Sequence, residues 1–493
     1  MHGISCILLL TNLSIANAQS TSEGPAPGKV TEIVPTTSSP EAQATFQEAL
    51  LAYDMGESRK ARNLFSKAID KDPNMGIAYL LRAGTANSTK EWADDINMGR
   101  TKISGASAWE KMYADYLYTD FTGNRDEGLA LAKKMSDMFP DAARTHANLG
   151  IAYMNNKQFD LAESAFQTAI AKNPKWPGGY DGLSNIYMFS EKKDLVKAQQ
   201  NAMKATELHP NRPGSHILLG DTYRAQNNFQ KAADHYSKAI SLDGSASEGY
   251  YKLGHAHIYL GNFSEARKNY KKGGELDVRK SFGESMEATT YAYEGDSKKA
   301  MKELIKAADK YAKAGGDKTT NSGDQLNFLS SAATIAVHNG DAKTLKELIS
   351  RIAPLSKETL SAVGTAEARL FEQADILNWE SMLAITEGNY AVARDKAEKM
   401  KAVLDPLKDS RKLEGYHNVV ALADLKEKKF KEAIDHLNQA NMQSIYTKYL
   451  LAKAYDGAGD SAKAKEYYSE VANYNFNNVE NALVRQEVKQ KLK

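Results

Sequence analysis

Cysteine is almost missing from this sequence: Cys6 is the only one in 493 residues. The chain after it therefore has no disulfide, no cysteine-based zinc site and no cysteine nucleophile. Long apolar runs are missing too, because the run at residues 7–13 is far too short to cross a bilayer as a helix. The net charge of +2 provides no basic stripe, which argues against nucleic acid as a partner.

Sequence motifs of catalytic and cofactor sites are also absent. The chain contains no HExxH, no glycine-rich phosphate loop and no G-x-S-x-G motif. We therefore predict a protein that is not an enzyme, with no catalytic residue, no cofactor and no metal. His255 and His257 are the nearest approach to a metal pair, but residues two apart on a helix point in nearly opposite directions. We interpret His257, His216 and His235 as packing or surface residues.

The amino terminus has the pattern of an export signal. An apolar run at 7–13 is followed by Ala16, Asn17 and Ala18, an A-x-A cleavage pattern. We predict a signal peptide at 1–18 and a flexible tether at 19–41, which is rich in Ser, Thr, Pro and Gly. The leader has no Lys or Arg, so a start upstream of Met1 remains open. An exported chain without cysteine fits a Gram-negative envelope, in the periplasm or outside the cell.

A helix, a turn and a second helix are predicted between residues 143 and 176. Apolar and small residues three or four apart give each helix one face that must pack on the other. The small residues let the two backbones approach closely, and the aromatic side chains fill the remaining space. A proline then stops the second helix. Counted from Ala143, positions 7, 8, 11, 20, 24, 27 and 32 are Leu149, Gly150, Tyr153, Ala162, Phe166, Ala169 and Pro174.

This unit recurs along the chain. Ala198, Ala232, Ala266 and Ala300 follow one another at intervals of 34 residues. The unit and its spacing resemble the tetratricopeptide repeat family. The resemblance implies an all-α fold, a right-handed superhelical solenoid of antiparallel helix pairs. We expect such repeats at 42–314, a linker at 315–324, and degenerate repeats at 325–493 that end in a capping helix. One continuous solenoid and two separate stacks both remain open.

The resemblance also implies a binding groove. In this family, positions 2, 5, 9, 12 and 13 of each first helix line the concave side. Those positions carry large apolar groups that suit a peptide or a partner helix, and polar groups that can orient its backbone. The predicted groove residues are Asp181, Asn185, Met188, Phe189, Asp221, Arg224, Tyr251, His255, Tyr259, Phe282 and Tyr293. Ile151 holds position 9 of the unit that starts at Ala143.

The function we predict is a non-catalytic protein-interaction scaffold of the cell envelope. Its partner is a protein or a peptide of unknown identity. One alternative is a subunit of an envelope transport or secretion complex. Another is a carbohydrate-binding accessory protein, which would be expected to expose tryptophan platforms; the tryptophans here are scattered and look structural, namely Trp92, Trp109, Trp176 and Trp379.

Overall fold

The computed structural model describes residues 34–86, 89–122, 125–190, 193–277, 280–316, 318–361, 366–407 and 411–492. Within these ranges the chain forms 25 helices and no strand, so the predicted all-α fold is confirmed. The predicted signal peptide and the first part of the predicted tether lie outside the described residues. None of the described helices is long and apolar enough to cross a membrane.

Two compact units divide the chain. The N-terminal unit comprises the described residues up to 260 together with 268–280, and the C-terminal unit comprises 261–267 and the described residues from 281 onward. The helices of the N-terminal unit are α1 (Pro40–Asp54), α2 (Ser58–Lys71), α3 (Gly76–Ala83), α4 (Thr89–Lys102), α5 (Ala108–Thr122), α6 (Arg125–Met138), α7 (Ala143–Asn155), α8 (Phe159–Lys172), α9 (Pro177–Phe189), α10 (Leu195–Leu208), α11 (Pro213–Ala225), α12 (Phe229–Leu242) and α13 (Ser247–Leu260).

Helix α14 (Phe263–Leu276) contributes residues to both units. The helices of the C-terminal unit are α15 (Lys280–Tyr293), α16 (Ser297–Ala312), α17 (Lys318–Asn339), α18 (Ala342–Ser361), α19 (Ala366–Thr386), α20 (Tyr390–Leu404), α21 (Glu414–Lys426), α22 (Phe430–Leu437), α23 (Ile445–Gly457), α24 (Ser461–Asn473) and α25 (Val479–Lys491).

Aromatic rings packed on glycine hold the helix pairs together. The ring of Phe166 in α8 lies so close to α7 and α9 that a Cβ on Gly150 would come within 2.8 Å of it, and one on Gly182 within 2.2 Å. Tyr236 packs in the same way on Gly220 of α11. Since no larger residue fits beside these rings, the predicted close approach of the backbones is confirmed.

The second repeat, which consists of α3 and α4, departs from this pattern because it contains a largely buried ion pair. Asp95 holds the position at which Ala61, Ala162 and Ala232 stand in other repeats, and it is 4% exposed. Arg82 of α3 donates to it at 2.6 Å through Nη2, and Arg62 of α2 lies 3.4 Å from its other oxygen. Leu80 fills the space above Gly99, where the aromatic ring is missing. The irregular sequence of this repeat therefore reflects a different solution to packing.

The beginning of the described chain is not a free tether. The backbone N–H of Thr36 donates to Glu110 Oε1 at 3.0 Å, and the hydroxyl of Thr37 donates to Asp72 Oδ2 at 2.5 Å. The side chain of Ser39 then caps α1 by accepting from the N–H of Ala42 at 3.1 Å. Sequence composition could not show this, because the partners Glu110 and Asp72 lie far along the chain.

The predicted linker at 315–324 does not coincide with the division between the two units. Helix α17 begins at Lys318, and Ser281 donates to the buried Asp324 at 2.8 Å. The Gly- and Thr-rich composition therefore marks only a short turn before a long helix. Helix α18 also continues through Pro354, although a proline inside a helix removes a backbone hydrogen bond.

Left-handed backbone recurs at the turn between the two helices of a pair. Gly340, between α17 and α18, has φ +71°, and a Cβ added to it would meet nothing within 4 Å. We expect Gly340→Ala to lower the free energy of unfolding by about 1–2 kcal/mol through backbone strain alone. Gly323→Ala, in α17 and equally uncrowded, should raise it by about 0.5–1 kcal/mol. Urea unfolding of both variants tests this; equal shifts would refute the strain argument.

Candidate functional site

The first helices of successive pairs pack side by side as one layer of the N-terminal unit. Helices α7, α9, α11 and α13 contact one another in sequence, and each also contacts the second helix of its own or a neighbouring pair. We call the surface of these four helices the inner face. The resemblance placed the predicted groove residues up to Tyr259 on this layer.

Part of the inner face is occupied by the chain's own first turn. Asp54, at the end of α1, lies 2.7 Å from Arg144 at the start of α7. Its carbonyl oxygen accepts from Arg212 Nε at 2.8 Å, and Arg212 also pairs with Asp181 at 2.6 Å. Burial raises the pKa of the Asp181 carboxyl, although Arg212 opposes the shift. The predicted groove residue Asp181 is therefore engaged in an internal ion network.

Asp221 organises a second charged cluster, on α11 and α13. Tyr236 donates to Asp221 Oδ1 at 2.7 Å, and Lys252 lies 2.7 Å from Oδ2. Arg224, which is buried, lies 3.6 Å from the same carboxylate. Two of the predicted groove residues, Asp221 and Arg224, are thus brought together, and each has a partner of opposite charge within the unit.

His255 lies beside this cluster. Its Nδ1 is 2.8 Å from the hydroxyl of Tyr270 in α14. Burial, together with the positive charges of Arg224 and Lys252, lowers the pKa of His255 to about 3. The imidazole is therefore neutral at physiological pH and serves as a hydrogen-bonding partner.

Tyr251, predicted to line the groove, is mainly a packing residue. Its side chain is buried, its ring lies against Gly273, and its hydroxyl donates to Asp277 Oδ2 at 3.0 Å. A Tyr251→Ala change would open a cavity, so it cannot serve as a clean probe of binding.

The remaining predicted residues differ widely in exposure. Met188 is buried and Asn185 half-buried, whereas Phe189 is 57% exposed. Tyr259 stacks on Phe229 with ring centroids 4.7 Å apart. Phe282, in the C-terminal unit, is 42% exposed. Exposed apolar surface among the predicted residues is therefore confined to Phe189 and Phe282.

Tyr293 is buried, against a segment that the sequence reasoning did not place there. Its hydroxyl donates to the carbonyl of Asn478 at 3.1 Å and accepts from the N–H of the same residue at 3.2 Å. Asn478 caps α25, which contacts α17, α23 and α24. The predicted capping helix thus lies on several earlier helices of the C-terminal unit and not only on α24.

Two histidine pairs occupy equivalent places in the two units. His216 and His235 face each other across α11 and α12 with Nδ1 atoms 3.3 Å apart, and His417 and His436 do so across α21 and α22 at 2.9 Å. Burial and the neighbouring ring lower the pKa of His235 and of His417. Each pair is a contact between the helices of one repeat. Among the described residues no three metal-ligating side chains come together.

Comparison with known families agrees with this architecture. A family model described as TPR repeat matches residues 220–258. Three models described as tetratricopeptide repeat match 143–175, 46–96, and 247–277 together with 445–478. No curated protein sequence matches the chain. The chain therefore carries tetratricopeptide repeats at these residues, and such repeats form scaffolds for interaction with other proteins.

The chain is also similar to several solved structures. One is pilF of Pseudomonas aeruginosa, 15% identical over 45% of this chain and 97% of that chain, with a TM-score of 0.34. A thermophilic TPR protein of Thermus thermophilus is 21% identical over 36% of this chain and 98% of its own, with a TM-score of 0.32. YrrB, described as a TPR protein with an unusual peptide-binding site, is 15% identical over 43% and 91%, with a TM-score of 0.26.

Proposed function

We propose that the protein is a non-catalytic scaffold of the bacterial envelope that binds a peptide or partner helix on the inner face. One observation carries the proposal. Ile151 of α7 and Phe189 of α9 are large apolar residues on this layer, and they are 42% and 57% exposed. Exposed large apolar groups on one layer of helices are typical anchors of a protein interface.

The chain's own contacts limit where a partner can lie. The first turn, around Asp54, covers the ends of α7 and α11 near Arg144 and Arg212. A partner must therefore approach along the middle and the far ends of the inner helices, where Ile151 and Phe189 lie. The interaction would combine apolar burial at these two residues with polar contacts to Asn185, which is half-buried.

A photo-crosslinking residue at position 151 tests the site in the full chain in its native cells. Met203, on the second helix α10, is 43% exposed and is the matched control for Ile151 at 42%. We expect a discrete crosslinked protein from position 151 and none from position 203. Ile151→Asp should then reduce binding of that protein by roughly tenfold, and Met203→Asp should not. Equal crosslinking from both positions would contradict an inner-face site.

The envelope location rests on the leader alone and is tested separately. We expect the mature protein to begin at Gln19 after cleavage behind Ala18. Fractionation of the native cells and mass spectrometry of the amino terminus measure this directly. A chain recovered from the cytoplasm with residues 1–18 intact would refute export without affecting the interaction proposal.

The carbohydrate-binding alternative finds no support in the exposure of the tryptophans. Trp109 and Trp379 are buried, and Trp92 and Trp176 are half-buried. None of them forms an open aromatic platform of the kind that a sugar ring would stack on.

A further inference from the structure

Helix α25 packs on the first helices of two earlier pairs in the C-terminal unit, in the way that a bound helical peptide packs on a binding surface. It contacts α17 and α23, whose residues precede it by more than a hundred and by about thirty positions, in addition to its neighbour α24. Val484 and Val488, four residues apart, are completely buried. One apolar stripe of α25 is therefore inserted into the core of the repeats.

Side chains at groove positions of the repeats hold α25. Counted in the register of the unit that starts at Ile445, positions 2, 5, 9 and 12 are Tyr446, Tyr449, Lys453 and Asp456. Tyr449 donates to Glu487 Oε2 of α25 at 2.6 Å, and Lys453 lies 3.7 Å from the other oxygen. Asp456 pairs with Lys491 at 3.0 Å.

A second group of contacts involves helices near the beginning of the C-terminal unit. Gln486 Nε2 donates to the carbonyl of Tyr293 at 2.9 Å, and the hydroxyl of Tyr293 bonds the backbone of Asn478. His338 of α17 shares a hydrogen bond with Tyr446 at 3.0 Å. The negative charge of Glu487 in α25 also acts on the His338 ring. The polar groups of α25 are thus matched by partner groups on two separate helices, α15 and α23.

We propose that α25 is the resident ligand of a helix-binding site in the C-terminal unit, and that a partner helix of the same pattern replaces it. The proposal rests on the proposed scaffold function but concerns a different unit. The partner chemistry follows from α25 itself: an amphipathic helix with two branched apolar residues four apart and a glutamate just before the second. That glutamate pairs with Tyr449 and Lys453.

The connection of α25 to the repeats makes an exchange feasible. Residues 474–478, which join it to α24, are not helical and Phe476 among them is 42% exposed. A tethered helix competes with a free one at an effective concentration of the order of millimolar. The apparent affinity of a helix added in trans is therefore reduced by the fraction of sites that α25 already fills.

Binding of a labelled peptide with the sequence of residues 476–492 to the full chain tests the proposal. Substitutions on the two sides of one contact weaken α25 equally but should act differently on the binding of the added peptide. Glu487→Ala in the chain's own α25 frees the site, so peptide binding should tighten by roughly tenfold. Tyr449→Phe removes the donor from the site itself and so weakens α25 and the peptide by the same factor; the two effects cancel, and the apparent affinity for the peptide should stay about unchanged.

Gln486→Ala removes a single hydrogen bond of α25 and is the second variant, for use in case Glu487→Ala perturbs folding. It should also tighten peptide binding. Glu466→Ala, which removes an exposed ion pair with Lys463 in α24, is the control and should have no effect. Weakened or absent peptide binding in Glu487→Ala and Gln486→Ala would overturn the proposal, because α25 would then be a fixed structural element. Dimers of the full chain would assign the site to a second copy and would also overturn it. Neither result alters crosslinking at position 151.

Discussion

Asp95→Ala is expected to destabilise the N-terminal unit by about 3 kcal/mol, because it leaves Arg82, whose side chain is only 19% exposed, without its counter-charge. Asp95 is 4% exposed and accepts from Arg82 at 3.1 Å and 2.6 Å. Arg62 retains Glu91 at 2.9 Å after the change, so most of the loss comes from Arg82. The free energy of unfolding from urea titration measures the effect.

A second substitution separates the charge pair from ordinary packing. If Arg82 carries the penalty, Asp95→Ala in an Arg82→Met background should cost at least about 2 kcal/mol less than in the wild type. The exposed pair of Lys204 and Glu207 provides the comparison, and Glu207→Ala should cost no more than about 0.5 kcal/mol. If Asp95→Ala costs about the same in the wild type and in the Arg82→Met background, the loss of stability comes from lost side-chain volume and not from the charge of Arg82.

The interior of each repeat was predictable because it depends on near neighbours in sequence. Gly150 and Phe166 lie in one helix pair, and their contact follows from helix periodicity and residue size. Asp95 shows the limit of this reasoning. Its partners Arg82 and Arg62 lie on two different repeats. The spacing within one repeat therefore could not reveal this ion pair.

The candidate site was harder to predict, because it depends on how the repeats stack. The contact of Asp54 with Arg144 spans 90 residues, and that of Tyr293 with Asn478 spans 185. Which groove positions are filled depends on the curvature of each stack, which small rotations between successive pairs determine. Tyr293 and Asp181 were therefore predicted as lining residues although the chain's own segments cover them. Ile151 and Phe189 remained exposed.

Acid is expected to destabilise the N-terminal unit through His255. The folded state holds the pKa of His255 at about 3, whereas an unfolded histidine titrates near 6.5. Below about pH 6.5 the unfolded chain therefore binds the proton more tightly. The stability that depends on neutral His255 is complete above this pH and is lost as the pH falls toward 3. Between pH 7 and pH 5 the loss amounts to about 2 kcal/mol.

His255→Gln should remove this part of the acid sensitivity, because glutamine can keep a hydrogen bond to Tyr270 without titrating. The groups that act on His255 are Arg224 of α11, Lys252 of α13 and the Tyr270 hydroxyl. None of these three groups carries a negative charge that would favour protonation of the imidazole. Urea unfolding at pH 7 and pH 5 should show a smaller decrease for His255→Gln than for the wild type. His146→Gln, at a half-buried histidine that bonds the carbonyl of Pro140, is the control and should behave like the wild type. An equal decrease in all three proteins would place the acid sensitivity elsewhere, with burial-lowered pKa values at His235, His338 and His417 as its remaining sources.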